Sequence, residues 1–127
     1  LKNDLPQKEI LDHYEILILQ DLNVALESLG DQVKYLAQEQ ISLSKKNKKE
    51  IARFIKEIHS IYQDLMRAYY QNNPETAYEY LTKDKQLHEK ARTLLGDQLN
   101  QEQTIVSKRL NNIILSLTQI SKLIRLR

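Results

Sequence analysis

The 127-residue chain has no cysteine and no tryptophan, and only two glycines, two prolines, one methionine and one phenylalanine. Without cysteine there is no disulfide, no thiolate metal centre and no cysteine nucleophile, a pattern that fits an intracellular setting. So few glycines and prolines leave little turn chemistry for a loop-rich or β-rich fold. The longest purely apolar runs are four residues, such as Ile16-Leu17-Ile18-Leu19, far short of the roughly 20 needed to cross a bilayer. The opening residues lack the charged and apolar regions of a signal peptide. Nineteen basic residues against seventeen acidic ones give a net charge of +2, so the molecule has no overall field able to hold nucleic acid or an anionic membrane.

What is present is the material of helices. Hydrophobic residues make up 41% and charged residues 28%, which suits one compact domain over residues 1–127. The chain starts at Leu1 and not at methionine, so a longer protein with further chain upstream is expected. Four helices are predicted from punctuation and period. The first runs from about Pro6 to Lys45, opened by a cap at Asp4-Leu5-Pro6-Gln7. Leu11, Tyr14, Ile18, Leu22, Ala25, Leu29 and Leu36 form its apolar face, and His13, Gln20, Glu27, Asp31, Lys34 and Gln38 its polar face. The second starts at Asn47, with Glu50 completing a capping box, and carries Ile51, Ile55, Ile58, Tyr62, Leu65 and Tyr69. Asn73-Pro74 starts the third, with a stripe of Ala77, Leu81, Leu87, Ala91 and Leu94 interrupted by Asp84 and edged by His88. After a break at Gly96, Val106, Leu110, Ile113, Leu117, Ile120 and Ile124 define the fourth. Short connections favour antiparallel neighbours, so the expected fold is all-α, an antiparallel up-down bundle of four long helices.

The first and fourth helices contain similar segments, either an internal duplication or a chance likeness of two leucine-rich helices. Leu22-Asn23-Val24-Ala25-Leu26-Glu27-Ser28-Leu29 aligns with Leu110-Asn111-Asn112-Ile113-Ile114-Leu115-Ser116-Leu117 at a fixed offset. Continued two residues, the alignment sets Glu27 against Leu115, Gly30 against Thr118 and Asp31 against Gln119. One copy keeps an acidic pair that the other has lost.

The segment Leu26-Glu27-Ser28-Leu29-Gly30-Asp31 resembles the Leu-Glu-Arg-Ile-Gly-Asp signature of PhoU-type phosphate-uptake regulators, with Ser28 in place of arginine. Asp84-Lys85-Gln86-Leu87-His88 resembles the Asp-x-x-Ile-Asp motif that the family carries on the middle helix of each three-helix repeat, with histidine replacing the second aspartate. The resemblance covers nearly the whole chain. It implies the last helix of one repeat followed by a complete second repeat that ends in the degenerate Leu115-to-Gln119 segment. It further implies a regulatory or adaptor domain that controls phosphate uptake by protein contact, in the cytoplasm at the inner membrane face. A transporter, a sensor kinase or the upstream repeat would be its partner. Cytoplasmic tails of sodium/phosphate cotransporters carry the same kind of domain.

The carboxylates allow a second interpretation. Glu27 and Asp31, four apart on a helix, lie side by side and repel unless a cation sits between them. The resemblance implies iron or a similar divalent transition metal there, whereas ordinary solvated surface acids need no metal. Asp84 and His88, one turn apart, form a candidate second half-site, but Leu115 offers no ligand opposite it, so Asp84 is expected to find a hydrogen bond, His88 or a lysine instead. A carboxylate di-iron centre is excluded, because Ile10, Lys56 and Lys85 stand where Glu-x-x-His would need glutamates before His13, His59 and His88. No set of residues suggests serine or histidine catalysis, and no glycine-rich phosphate loop exists, so no enzyme is expected. Lys45-Lys46-Asn47-Lys48-Lys49 is a basic cluster at a turn, with solubility its simplest role and anion binding the alternative. Tyr62, Tyr69, Tyr70, Tyr78 and Tyr80 are expected to plug the core near the second turn. Ile16, Leu19, Val24, Leu26, Leu115, Leu123 and Leu126 fall outside the main stripes. This surplus apolar surface calls for a partner, whether a second copy in a homo-oligomer, the upstream repeat or a transporter. An unrelated helical oligomerisation module is the remaining alternative.

Overall fold

The computed structural model describes residues 4–126, without the side chains of residues 4–7 and 11, so the expected opening cap and Leu11 lie outside the described side chains. All of the described regular structure is helical: α1 Asp4–Glu39, a 3-10 turn at Gln40–Ser42, α2 Lys45–Gln71, α3 Pro74–Thr93 and α4 Gln101–Leu126. No described helix is long and apolar enough to cross a membrane.

The first turn corrects two expected boundaries. α1 ends at Glu39 and not at Lys45, because Leu43 leaves the helical path in extended conformation and buries its side chain in the core. α2 begins at Lys45, capped by Ser44, whose Oγ accepts the backbone N–H of Asn47 at 3.2 Å. The Asn47 cap is therefore not used. At the second turn Asn72 ends α2 in the left-handed region (φ 57°), Asn73 Oδ1 accepts from the N–H of Glu75 at 3.1 Å, and Pro74 takes the first helical position, where its missing N–H costs nothing. Gly96 adopts φ 112°, a conformation that side chains disfavour, and ends the third segment. α4 then opens on a reciprocal capping box that the sequence analysis did not identify. Gln103 N–H donates to Asn100 Oδ1 (2.8 Å), and Asn100 N–H donates to Gln103 Oε1 (3.0 Å).

α4 is the centre of the molecule. It packs extensively on α1 and α3, and α2 packs less extensively on α3 and α4. The extensive interface of α1 is therefore with α4, and not with α2, its neighbour in sequence. Residue numbers rise along α1 as they fall along α4: Tyr14 bonds Leu126 at one end, and Glu39 bonds Arg109 at the other. α3 crosses α4 in the same opposed sense, with Tyr80 at Thr118 and His88 at Asn111. Being covered on several sides, α4 buries Ile114 and Leu123 as well as its predicted stripe, so Leu123 is core and not surplus. Ser116, Thr118 and Ser121 are buried too, each donating to the carbonyl one turn back at 2.9–3.1 Å, so small hydroxyl side chains let neighbours approach without an unpaired polar group.

The internal alignment carries over into burial. At an offset of 88 residues, buried Ile18, Leu22, Ala25, Leu29 and Leu36 of α1 match buried Val106, Leu110, Ile113, Leu117 and Ile124 of α4. Ser28 and Ser116, equivalent at the same offset, both line one groove between the two helices.

Three other expectations change. Tyr14 is exposed, because it lies beside the last residues of α4 where cover runs out. Phe54, Ala68 and Tyr80 join the core that Ile51, Ile58, Leu65, Ala77, Leu87 and Ala91 supply. The five tyrosines do not form one plug. Only Tyr80 is buried, Tyr62 and Tyr69 are half-buried, and Tyr70 and Tyr78 are exposed, because their positions turn away from α4.

Candidate functional site

Asp84 and His88 lie on the face of α3 that meets α4, Asp84 at Thr118 of the degenerate segment and His88 at Asn111, one turn before it. Their surroundings there are hydroxyls and amides. Tyr80 donates to Ile114 O (3.2 Å) and lies 3.4 Å from Thr118 Oγ1, and Thr118 donates to Ile114 O (3.0 Å) or to Asp84 Oδ2 (3.4 Å). Each hydroxyl has a single proton, so Tyr80 and Thr118 share Ile114 O, Asp84 Oδ2 and each other as alternative partners. Burial pushes the Tyr80 phenol up to about 12, the Thr118 hydrogen bond opposes this, and the nearby Asp84 charge adds to it. His88 Nδ1 is hydrogen-bonded to Asn111 Oδ1. Thr118 occupies the position of α4 that aligns with Gly30 of α1, and its hydroxyl engages the α3 carboxylate.

Glu27 and Asp31 are on the exposed face of α1, and neither has an ion-pair partner among the described residues. They are not brought to Asp84 and His88. Among the described residues no group of three or more His, Asp or Glu side chains converges. Gly30, between the two acids, has nothing within 4 Å of where a Cβ would stand, so this side of α1 is open to an approaching backbone.

A polar clamp that the sequence analysis missed fixes α1 on α4. Arg109 donates through Nε to both carboxylate oxygens of Glu39 (3.1 and 3.0 Å), through Nη2 to Oε1 (3.0 Å) and through Nη1 to Gln32 Oε1 (2.9 Å). Its guanidinium also stacks 4.7 Å above the Tyr35 ring. The hydrogen bonds to Glu39 raise the Arg109 pKa further, which keeps the clamp charged. The partners are 70 residues apart, beyond the reach of any local spacing rule. A second tie, Lys90 to Glu57 at 2.6 Å, links α3 to α2 beside an open groove of about 390 Å³, where Glu57, Asp64 and Glu79 mix with Lys83 and Lys90.

The other notable surface is apolar. Ile10, Leu17 and Val24, at seven-residue spacing on α1, are 67, 59 and 65% exposed, and Leu115 of α4 (51%) stands across the groove that holds Val24. Ile16 and Leu19 are exposed as well, while Leu26 is half-buried. The lysine cluster at the first turn is also at the surface: Lys45, Lys46 and Lys49 are exposed, and none of its four lysines has an ion-pair partner among the described residues. No family model matches the chain, and neither a curated protein nor a solved structure matches it.

Proposed function

We propose that the chain is a PhoU-like regulatory or adaptor domain that acts by protein contact in the control of phosphate uptake at the cytoplasmic membrane face, with no catalysis of its own. The observation that carries the proposal is the packing of α1 against α4, which we read as a pairing of repeat equivalents. The helix bearing Glu27-Ser28-Leu29-Gly30-Asp31 and the helix bearing its degenerate counterpart share burial at one offset, and their equivalent serines line one groove. In this proposal α2, α3 and α4 are one three-helix repeat, α1 is the last helix of another, and the antiparallel bundle is the family's. The approach of Asp84 to Thr118 in the degenerate segment supports the same assignment, since in the family the middle-helix motif faces the third-helix motif. A transporter or sensor kinase, or an upstream repeat, would then engage the exposed face of α1.

The test is a phosphate-starvation reporter in cells that depend on the protein. Glu27→Lys with Asp31→Lys should derepress the reporter when phosphate is plentiful, with protein abundance unchanged. An unaltered reporter and unaltered phosphate uptake would refute the proposal. A second proposal rests on the same two side chains: exposed and unpaired, Glu27 and Asp31 are suited to share a divalent transition metal such as iron, given further ligands from a partner. Metal analysis of the purified protein decides it. Stoichiometric metal lost on Glu27→Ala and Asp31→Ala would favour metal binding, and none in either sample would eliminate it for the isolated chain.

A further inference from the structure

From Glu9 to Val33, α1 carries six carboxylates and no lysine or arginine. Glu9, Asp12, Glu15, Asp21, Glu27 and Asp31 are all exposed, and none forms an ion pair among the described residues. The exposed stripe of Ile10, Leu17 and Val24 runs through this acidic stretch, and at its end Val24 shares the α1–α4 groove with Asp21 and Leu115, while Glu27 and Asp31 lie outside that groove. At 1.5 Å per residue the stripe is about 21 Å long, which is about four helical turns.

We infer that this face docks an amphipathic helix of a partner protein, apolar along one stripe and basic along both edges. The inference rests on the adaptor proposal only for its biological setting. Its physical basis is the combination of an apolar ridge, worth burying, with uncompensated negative charge, which selects the sign of whatever buries it. Two other occupants are disfavoured by the same charges. A second copy laid stripe to stripe would set carboxylates against carboxylates. A second copy offering its Lys45-to-Lys49 cluster has the right charge, but Ile41 is its one strongly exposed large apolar residue there, too little to cover the ridge. An anionic lipid surface would be repelled.

The test uses the whole 127-residue chain and a labelled synthetic helix of about 20 residues, with leucines at steps of three and four and lysines on both flanks, alongside a version with glutamate at every lysine position. The lysine peptide should bind and the glutamate peptide should not. Leu17→Gln with Val24→Gln leaves every charge in place and should weaken binding about tenfold or more, because two apolar contacts are lost. Raising the salt from low to high concentration should weaken it several-fold. Asp21→Lys, Glu27→Lys and Asp31→Lys, all at exposed positions, should reverse the preference toward the glutamate peptide, and circular dichroism reports whether each variant is folded. Equal binding of the two peptides, or lysine-peptide binding indifferent to both sets of variants, would overturn the inference. So would a concentration-dependent dimer abolished by Leu17→Gln with Val24→Gln, or preferential binding to vesicles rich in phosphatidylserine. A phosphate reporter indifferent to Glu27 and Asp31 would refute the regulatory proposal and leave this one standing, whereas failure of peptide discrimination would refute this one whatever the reporter does.

Discussion

Replacing Tyr80 with phenylalanine removes one hydroxyl from the point where α3 meets α4, and the consequences at neutral and alkaline pH differ in sign. At pH 7 the change deletes the bond to Ile114 O and the contact with Thr118, while that carbonyl keeps the Thr118 hydroxyl as a partner. A loss of about 1 kcal/mol is expected, the usual net value of one buried neutral hydrogen bond. At high pH the phenol itself becomes a liability. Its pKa is raised from 10 to about 12 by burial in the fold. Between these values the unfolded chain has released the proton and the folded chain has not, so the folded state binds more protons and a rise in pH favours unfolding. The wild-type chain therefore loses about 1.4 kcal/mol by pH 11 through this one group, a loss that Tyr80→Phe does not suffer. The mutant, less stable at pH 7, should match or exceed the wild type near pH 11. Urea denaturation of both proteins at several pH values between 7 and 11 measures the difference directly. Phenolate absorbance gives an independent check, with a component titrating near pH 12 present in the wild type and missing from the mutant. Stability differences that stay constant with pH would refute the buried, hydrogen-bonded placement of this side chain.

Further expectations follow from the caps, the clamp and the glycines. Ser44→Ala should cost about 1 kcal/mol by urea denaturation and Asn47→Ala under about 0.5, because Ser44 and not Asn47 caps α2. Arg109→Ala and Glu39→Gln should each speed amide exchange along α1. Arg109→Lys should not restore the wild-type rate, because an ammonium group cannot reproduce the forked bonds to Glu39 and Gln32. Gly30→Ala should raise stability by up to about 1 kcal/mol, since the site is helical and has open space around it, yet impair any contact in which a partner backbone approaches α1 closely. Gly96→Ala should destabilise by about 1 kcal/mol, because its φ of 112° strains any side chain. Thermal melts of the two glycine variants should therefore move in opposite directions.

The helical class, the break at Asn73-Pro74 and most of the core were legible because they depend on local period and on proline geometry. Val106, Leu110, Ile113, Leu117, Ile120 and Ile124 show the spacing of one buried face, and all six are buried. Period alone could not show that α4 would be covered on several sides. Leu123 read as surplus, and Ile114 and the three small hydroxyl residues lay outside the predicted stripe; they are buried because neighbours happen to lie there. The first turn was misjudged because Lys45 to Lys49 looks like the end of one helix and Asn47 like the start of the next, whereas the burial of Leu43 sets the boundary two residues earlier. At the candidate site, the sequence flagged Asp84 and His88 as interruptions of an apolar stripe. Their partners Thr118 and Asn111 lie 34 and 23 residues away, and only the packed structure identifies them. The Arg109 clamp escaped notice for the same reason.

Everything proposed for function depends on α1 lying against α4 in the register that brings Ser28 and Ser116 to one groove. The chain has no native cysteine, so a variant carrying Ser28→Cys and Ser116→Cys can be oxidised under mild conditions and its cross-linked fraction read on a non-reducing gel. An intramolecular cross-link should form rapidly in this variant and slowly or not at all in one carrying Ser28→Cys and Ser60→Cys, whose second position is exposed on α2. Equal cross-linking in the two variants, or none in the first, would contradict the seam and with it the repeat pairing on which the proposed function stands.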